Sequence, residues 1–186
     1  DPGEAVEVLP QVIEPHPRGD HQFDPRRGLE KPVEVVYLLC RPLRKRGGQE
    51  VLENLPGDKD SVVMIGRPYN TNDPELNLHL VEKLINLDVL PIPIDFLPLS
   101  KENIFGDYSM MYWPNGQRIL AASRIIARDD RLHGIYMGNF RCGPDSFLAH
   151  FVHEEMAGKP YMEIEIDEHG ADAGMITRYE AFLDSL

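Results

Sequence analysis

Ile135-Tyr136-Met137-Gly138-Asn139-Phe140-Arg141-Cys142-Gly143-Pro144-Asp145-Ser146-Phe147 decides the fold, because it passes from a strand to a helix within a few residues. Ile135, Tyr136 and Met137 read as a short buried strand. Pro144 suits the first position of a helix, where its missing N–H costs nothing and its fixed φ is already helical. Gly143 is then the expected N-cap, with Cys142 just outside the helix. The partial positive charge of the helix end favours a thiolate over a thiol there. A thiolate at the carboxyl end of a strand in an α/β sheet serves as a nucleophile or as a metal ligand. A cysteine that merely packs is the other reading, and the Gly-Pro flank tips the balance toward chemistry.

The same alternation extends outward. Upstream, Val62-Val63-Met64-Ile65 is a continuous apolar run of buried-strand type that ends in Gly66. Asp73-Pro74 predicts an N-cap and first helical residue, with Leu76, Leu80, Val81, Leu84 and Leu87 following at helical spacing. Residues 89–94 form the next strand, which Pro91 and Pro93 make an edge or irregular one. Pro114 opens a helix carrying Ile119, Ala122 and Ile126, with Leu120 and Ala127 on the adjacent row. The strand at 134–139 follows, then a helix from Pro144 to about Ala157, closed by Gly158. Downstream, residues 161–166 form a strand. Residues 173–186 form a last helix with Ile176, Tyr179, Phe182, Leu183 and Leu186 on its apolar side. Four alternations predict an α/β fold over residues 61–186. It is a mostly parallel sheet with helices on both faces, doubly wound and flavodoxin-like.

Residues 1–60 differ. Prolines at 2, 10, 15, 17, 25, 32, 42 and 56 punctuate them. They read as an irregular N-terminal arm or the end of a preceding domain, with a strand-like stretch from Val33 to Leu39 and a short helix around Gln49–Asn54. Arg41, Arg44, Lys45 and Arg46 form a basic cluster, better read as a solvated turn than as an anion site.

Length and charge exclude several classes. At 186 residues the chain is long enough for one well-filled α/β domain. A formal net charge of −12 argues against nucleic acid as a partner. The apolar runs are strand-length and broken by proline, so no membrane span is expected, and no secretory leader is visible. Two cysteines, Cys40 and Cys142, are too few for a disulfide framework and point to the reducing cytoplasm. The chain begins at Asp1 rather than Met, which points to a segment of a longer protein.

In open parallel sheets the ligand site lies beyond the carboxyl ends of the strands. That rule gathers Gly66-Arg67-Pro68-Tyr69-Asn70-Thr71, Asp95-Phe96, the loop from Asn139 to Cys142, and Asp167-Glu168-His169. Arg67 suits a phosphate or carboxylate, Tyr69 and Asn70 a hydrogen bond to substrate, and Gly66 a close backbone approach. A tight turn that only connects strand to helix fits the same spacing equally well. No nucleotide fingerprint is present. His150 and His153 are three apart rather than the four of zinc proteases, and read as ordinary surface or core histidines. Asp167, Glu168, His169 and Asp172 read as a polar loop ending in an N-cap, braced by Arg178.

Four separated motifs carry a family resemblance. They are Gly66-Arg67-Pro68-Tyr69-Asn70, Met111-Tyr112-Trp113-Pro114-Asn115-Gly116-Gln117-Arg118, the loop from Asn139 to Phe147, and Glu163-Ile164-Glu165-Ile166-Asp167-Glu168-His169 through Thr177-Arg178. Over residues 61–186 the chain resembles the 2-hydroxyacyl-CoA dehydratase superfamily, nearest its activase-related and double-cubane-cluster-like branch. The resemblance implies an anaerobic, oxygen-sensitive iron–sulfur system. In it, an ATP-dependent activator module injects one low-potential electron into a cluster, and a reductase or dehydratase (lyase) component then acts on an acyl-CoA or related small molecule. It further implies that Cys142 is a cluster-ligand thiolate, of [4Fe–4S] type, beside the strand-end substrate candidates Arg67, Tyr69 and Asn70. A four-iron cluster needs three or four protein ligands. Either the remaining ligands lie in the parent protein, which is the expectation, or this branch has lost the cluster; the segment itself is expected to be colourless, metal-free and without activity. A non-catalytic acyl-CoA- or phosphate-binding module, or one that docks the activator, is the alternative.

Overall fold

The computed structural model describes residues 46–167 and 172–186, all within the compact unit Lys31–Leu186. The strand-like stretch 33–39, Cys40, the basic residues 41–45, Glu168 and His169 lie outside the described residues.

The elements run α1 (Arg46–Glu53), β1 (Ser61–Gly66), α2 (Pro68–Asn72), α3 (Leu80–Asn86), β2 (Leu90–Pro93), α4 (Ile104–Asp107), α5 (Pro114–Arg128), β3 (Leu132–Asn139), α6 (Gly143–Glu155), β4 (Tyr161–Ile166) and α7 (Asp172–Leu183). Two single 3₁₀ turns, Ile94–Phe96 and Leu99–Lys101, lie between β2 and α4. The four strands form one parallel sheet in the order β2-β1-β3-β4. This is the doubly wound, flavodoxin-like arrangement that the alternation predicts, and the switch in strand order falls between β1 and β3.

The period-2 geometry of β1 divides the core. Val63 and Ile65 point to a face covered by α5 and α6, where Ile119, Leu120, Ile126, Leu148 and Val152 are buried. Val62 and Met64 point to the other face, beneath α3 and α7, with Leu80, Leu84, Tyr179 and Phe182. All six residues of β1 are buried, which is why that segment is a continuous apolar run. α1 supplies Val51 and Leu52, with Leu55 just beyond it, to the first face.

Several details differ from the sequence reading. Asp73-Pro74 does not open a long helix. Asp73 Oδ1 instead accepts the N–H groups of Glu75 and Leu76, capping a turn. The chain then passes Leu78 and His79 at φ of 53° and 54° before α3 starts at Leu80. Leu76 is consequently exposed. The turn after Gly66 proves to be α2, started by Pro68. In α7 the third buried residue is Met175 rather than Ile176, which is exposed.

Candidate functional site

Parallel strands deliver their following loops to one rim, and here that rim joins residues far apart in sequence. Arg67 follows β1 directly, and Cys142 is the N-cap of α6. Arg67 Nη2 lies 3.3 Å from Cys142 Sγ and is also salt-bridged to Asp145 Oδ2. The same Asp145 oxygen accepts the Asn139 N–H at 2.8 Å, and the Tyr136 hydroxyl donates to the Asp145 carbonyl at 3.1 Å. One carboxylate therefore ties the end of β3, the first turn of α6 and the residue after β1 together. Its side chain is only 5% exposed and that of Arg67 12%, so water screens the pair poorly. Burial works against the guanidinium charge, but Asp145, Cys142 and Tyr69 outweigh it, and the Arg67 pKa is raised. The guanidinium also lies 4.8 Å from the centre of the Tyr69 ring.

Local sequence makes this convergence possible. A Cβ on Gly66 would stand 2.9 Å from the Met137 carbonyl oxygen, so glycine lets β1 and β3 close up where the Arg67 loop leaves. Arg141 takes φ of 59°, folding the chain so that the Cys142 N–H reaches the Asn139 carbonyl at 3.0 Å. The Cys142 carbonyl then accepts the Ser146 N–H at 3.0 Å, the first bond of the helix. The N-cap is thus Cys142 and not Gly143, one residue earlier than the proline placement implied. The Cys142 side chain makes no cap hydrogen bond. Its half-buried thiol faces Arg67.

The other candidates separate. Tyr69 is half exposed on the rim. Asn70 is buried and its amide donates to the Met137 carbonyl at 3.5 Å, so it faces the interior. Asp95 pairs with Arg118. Asp167 lines a cleft of about 400 Å³ with Phe140, Glu163, Glu165 and Arg178. Arg178 donates to the Glu163 carbonyl at 3.0 Å, bracing β4. His150 and His153 are exposed, and His150 lies 3.3 Å from Glu154.

Two features escaped the sequence reading. Asp145 was visible only as a letter of a motif; an acid in the first turn of a helix that begins beside an arginine-bearing loop is the signal that marks it. The second is apolar. Tyr69, Phe105, Met110, Tyr112, Phe140 and Phe147 are large and exposed, and all lie in the segments that follow β1, β2 and β3.

A four-iron cluster takes three or four protein ligands. Among the described residues no three His, Cys, Asp or Glu side chains are grouped to hold a metal ion, and Cys142 is the one free cysteine. The described residues alone therefore do not fit such a cluster. No helix among them is long and apolar enough to cross a membrane.

Residues 27–97 match the family described as CoA enzyme activase uncharacterised domain. The match relates the chain to the activase-related proteins. It crosses residue 60, where the sequence reading began its resemblance, takes in Arg67, Tyr69 and Asn70, and stops short of Cys142. No curated protein and no solved structure was found to match the chain.

Proposed function

We propose that this chain is a module of an ATP-activated CoA-enzyme system and that its carboxyl-end rim is the working surface. In this reading Cys142 supplies one thiolate of an iron–sulfur cluster in a reductase or dehydratase that acts on an acyl-CoA or a related small molecule. The other ligands come from outside the described residues, and an ATP-dependent activator is the partner. The reducing cytoplasm keeps the thiol free. The observation that carries the reading is the placement of Cys142: a half-buried thiol at the N-cap of α6, on the same rim as a guanidinium 3.3 Å away. Arg67 and Tyr69 lie beside it within the activase-related stretch and suit the anionic part of a substrate.

Anaerobic reconstitution of the longest natural chain that contains this segment, with iron and sulfide, tests the assignment. Cys142→Ser keeps the fold, because the thiol makes no cap bond and belongs to neither core face. It is expected to lose iron and sulfide together with reductive activity. Full iron and sulfide content in the variant refutes the ligand assignment. The exposed aromatics in the segments that follow β1, β2 and β3 favour the alternative, a non-catalytic acyl-CoA-binding or activator-docking module. A colourless reconstituted protein that binds CoA in calorimetry is the result that selects it.

A further inference from the structure

The last strand of the sheet presents a second surface, independent of the Cys142 loop. β4 is an edge strand, and among the described residues no other strand pairs with its outer side. The winding explains this. β1 passes to β2 beneath the face that holds α3, moving one way across the sheet. β2 passes to β3 through α5 and β3 to β4 through α6, both on the other face and moving the other way. α7 follows β4 on the α3 face, so a right-handed connection through it turns back over the sheet and away from that edge. Such connections are right-handed in about 98% of cases.

Hydrogen-bond parity fixes what the edge offers. The Phe140 N–H reaches the Ile166 carbonyl at 2.9 Å, so Ile166, and with it Ile164 and Met162, aim their backbone groups at β3. Tyr161, Glu163 and Glu165 aim theirs outward. Arg178 takes the Glu163 carbonyl. The side chains alternate as well. Met162 and Ile164 are buried beneath α7, while Glu163 and Glu165 are exposed on the opposite face. Half-exposed Phe140 lines the same cleft as these two carboxylates.

We propose that the outer edge of β4 docks an extended, basic segment of a partner protein, which adds to the sheet as a fifth strand. Backbone pairing with the outward groups of Tyr161 and Glu165 and with the Glu163 N–H, whose carbonyl Arg178 already holds, supplies the adhesion, as in other strand additions. Lysine or arginine at alternate positions of the added strand stands opposite Glu163 and Glu165, where cross-strand neighbours lie about 5 Å apart. The apolar side chains between them turn to the opposite face, beside the α7-covered edge that holds Met162 and Ile164. The inference rests on the sheet and not on the role of Cys142, so the two stand or fall separately.

The test uses the full chain, isotope-labelled, and three synthetic hexapeptides: alternating Lys and Val, the same peptide N-methylated at every second residue, and alternating Glu and Val. The Lys-Val peptide is expected to shift the Glu163 and Glu165 amide resonances and slow their hydrogen exchange at least tenfold. Glu163→Lys with Glu165→Lys is expected to weaken binding at least tenfold while leaving the circular dichroism unchanged. N-methylation is expected to abolish it. No binding at millimolar peptide, equal binding of the N-methylated or Glu-Val peptide, or outer amides already protected in the free chain each overturns the proposal.

Discussion

Asp145→Asn is the substitution that tests whether the rim is held as described. Asparagine keeps the shape and one acceptor for the Asn139 N–H, and the Tyr136 hydroxyl still has its backbone carbonyl. What disappears is the charge opposite Arg67, whose side chain is only 12% exposed. Breaking a fully buried ion pair costs about 3–5 kcal/mol, because the orphaned charge stays desolvated. Arg67 retains the Cys142 sulfur and the Tyr69 ring, so about 2–3 kcal/mol is expected here. With a urea m-value near 2 kcal/mol/M for a domain of this size, the midpoint falls by roughly 1–1.5 M. Trp113, the one tryptophan of the chain, packs partly buried against the α5–α6 face and reports the transition by fluorescence. Adding Arg67→Met removes the stranded charge, so the cycle should show a coupling of about 1.5 kcal/mol or more. A loss within about 0.5 kcal/mol for Asp145→Asn, or strict additivity of the two changes, refutes the bridge.

Glu155 accepts Arg124 Nε at 2.7 Å and Nη2 at 2.6 Å, and the Tyr108 hydroxyl at 2.8 Å. Arg124, acting against burial, holds its pKa below the usual range, while burial and Glu155 push Tyr108 up to about 12. A depressed folded-state pKa gives stability that is present above the unfolded value, about 4.3, and lost as the pH falls through the folded value. Between pH 6 and 3 the Tm of Glu155→Gln should therefore fall less than that of the wild type; parallel acid limbs in calorimetry refute this. Gly66→Ala should cost about 1–3 kcal/mol in denaturant unfolding, since its Cβ meets a backbone oxygen. Gly143→Ala, with nothing within 4 Å of the added carbon, should stay within about 0.5 kcal/mol, and equal losses at the two sites contradict the packing account.

The sheet was legible because burial on both faces leaves a mark that local chemistry does not disguise. β1, β3 and β4 read as apolar or alternating runs, and prolines at 91 and 93 marked the edge strand correctly. The helices that open at Pro114 and at Gly143-Pro144 were placed to within a residue or two, whereas the one that Pro68 starts read as a turn. The failure at Asp73-Pro74 has a physical cause. An Asp that caps a turn and one that caps a helix make the same bond to the second or third N–H beyond it, and the sequence of one turn does not distinguish them. What decided the outcome was the pair of left-handed residues at Leu78 and His79, non-glycine positions that no pattern rule would place there.

The site was legible only in outline, for a reason that follows from the topology. A strand-end rule names the loops that share a rim but not the partners within it, since each contact joins segments from different crossovers. Arg67 and Asp145 are 78 positions apart, and no periodicity links them. Read alone, Arg67 is a free cation awaiting an anion; in the fold its charge is already answered from the first turn of α6. That changes what a ligand must do. An anionic group approaching Arg67 competes with Asp145 for the same nitrogen, and wins only by displacing a carboxylate anchored by the Asn139 N–H or by using the exposed aromatic edge nearby. Cys142 is different. Its sulfur leaves the helix N-terminus uncapped and shares the guanidinium without being its main partner, so moving Arg67 fully onto Asp145 would free the thiol without breaking the rim. A rim built this way suits a thiol that gains a further partner when the rest of its site assembles, with Arg67 reaching a substrate anion only by giving up Asp145.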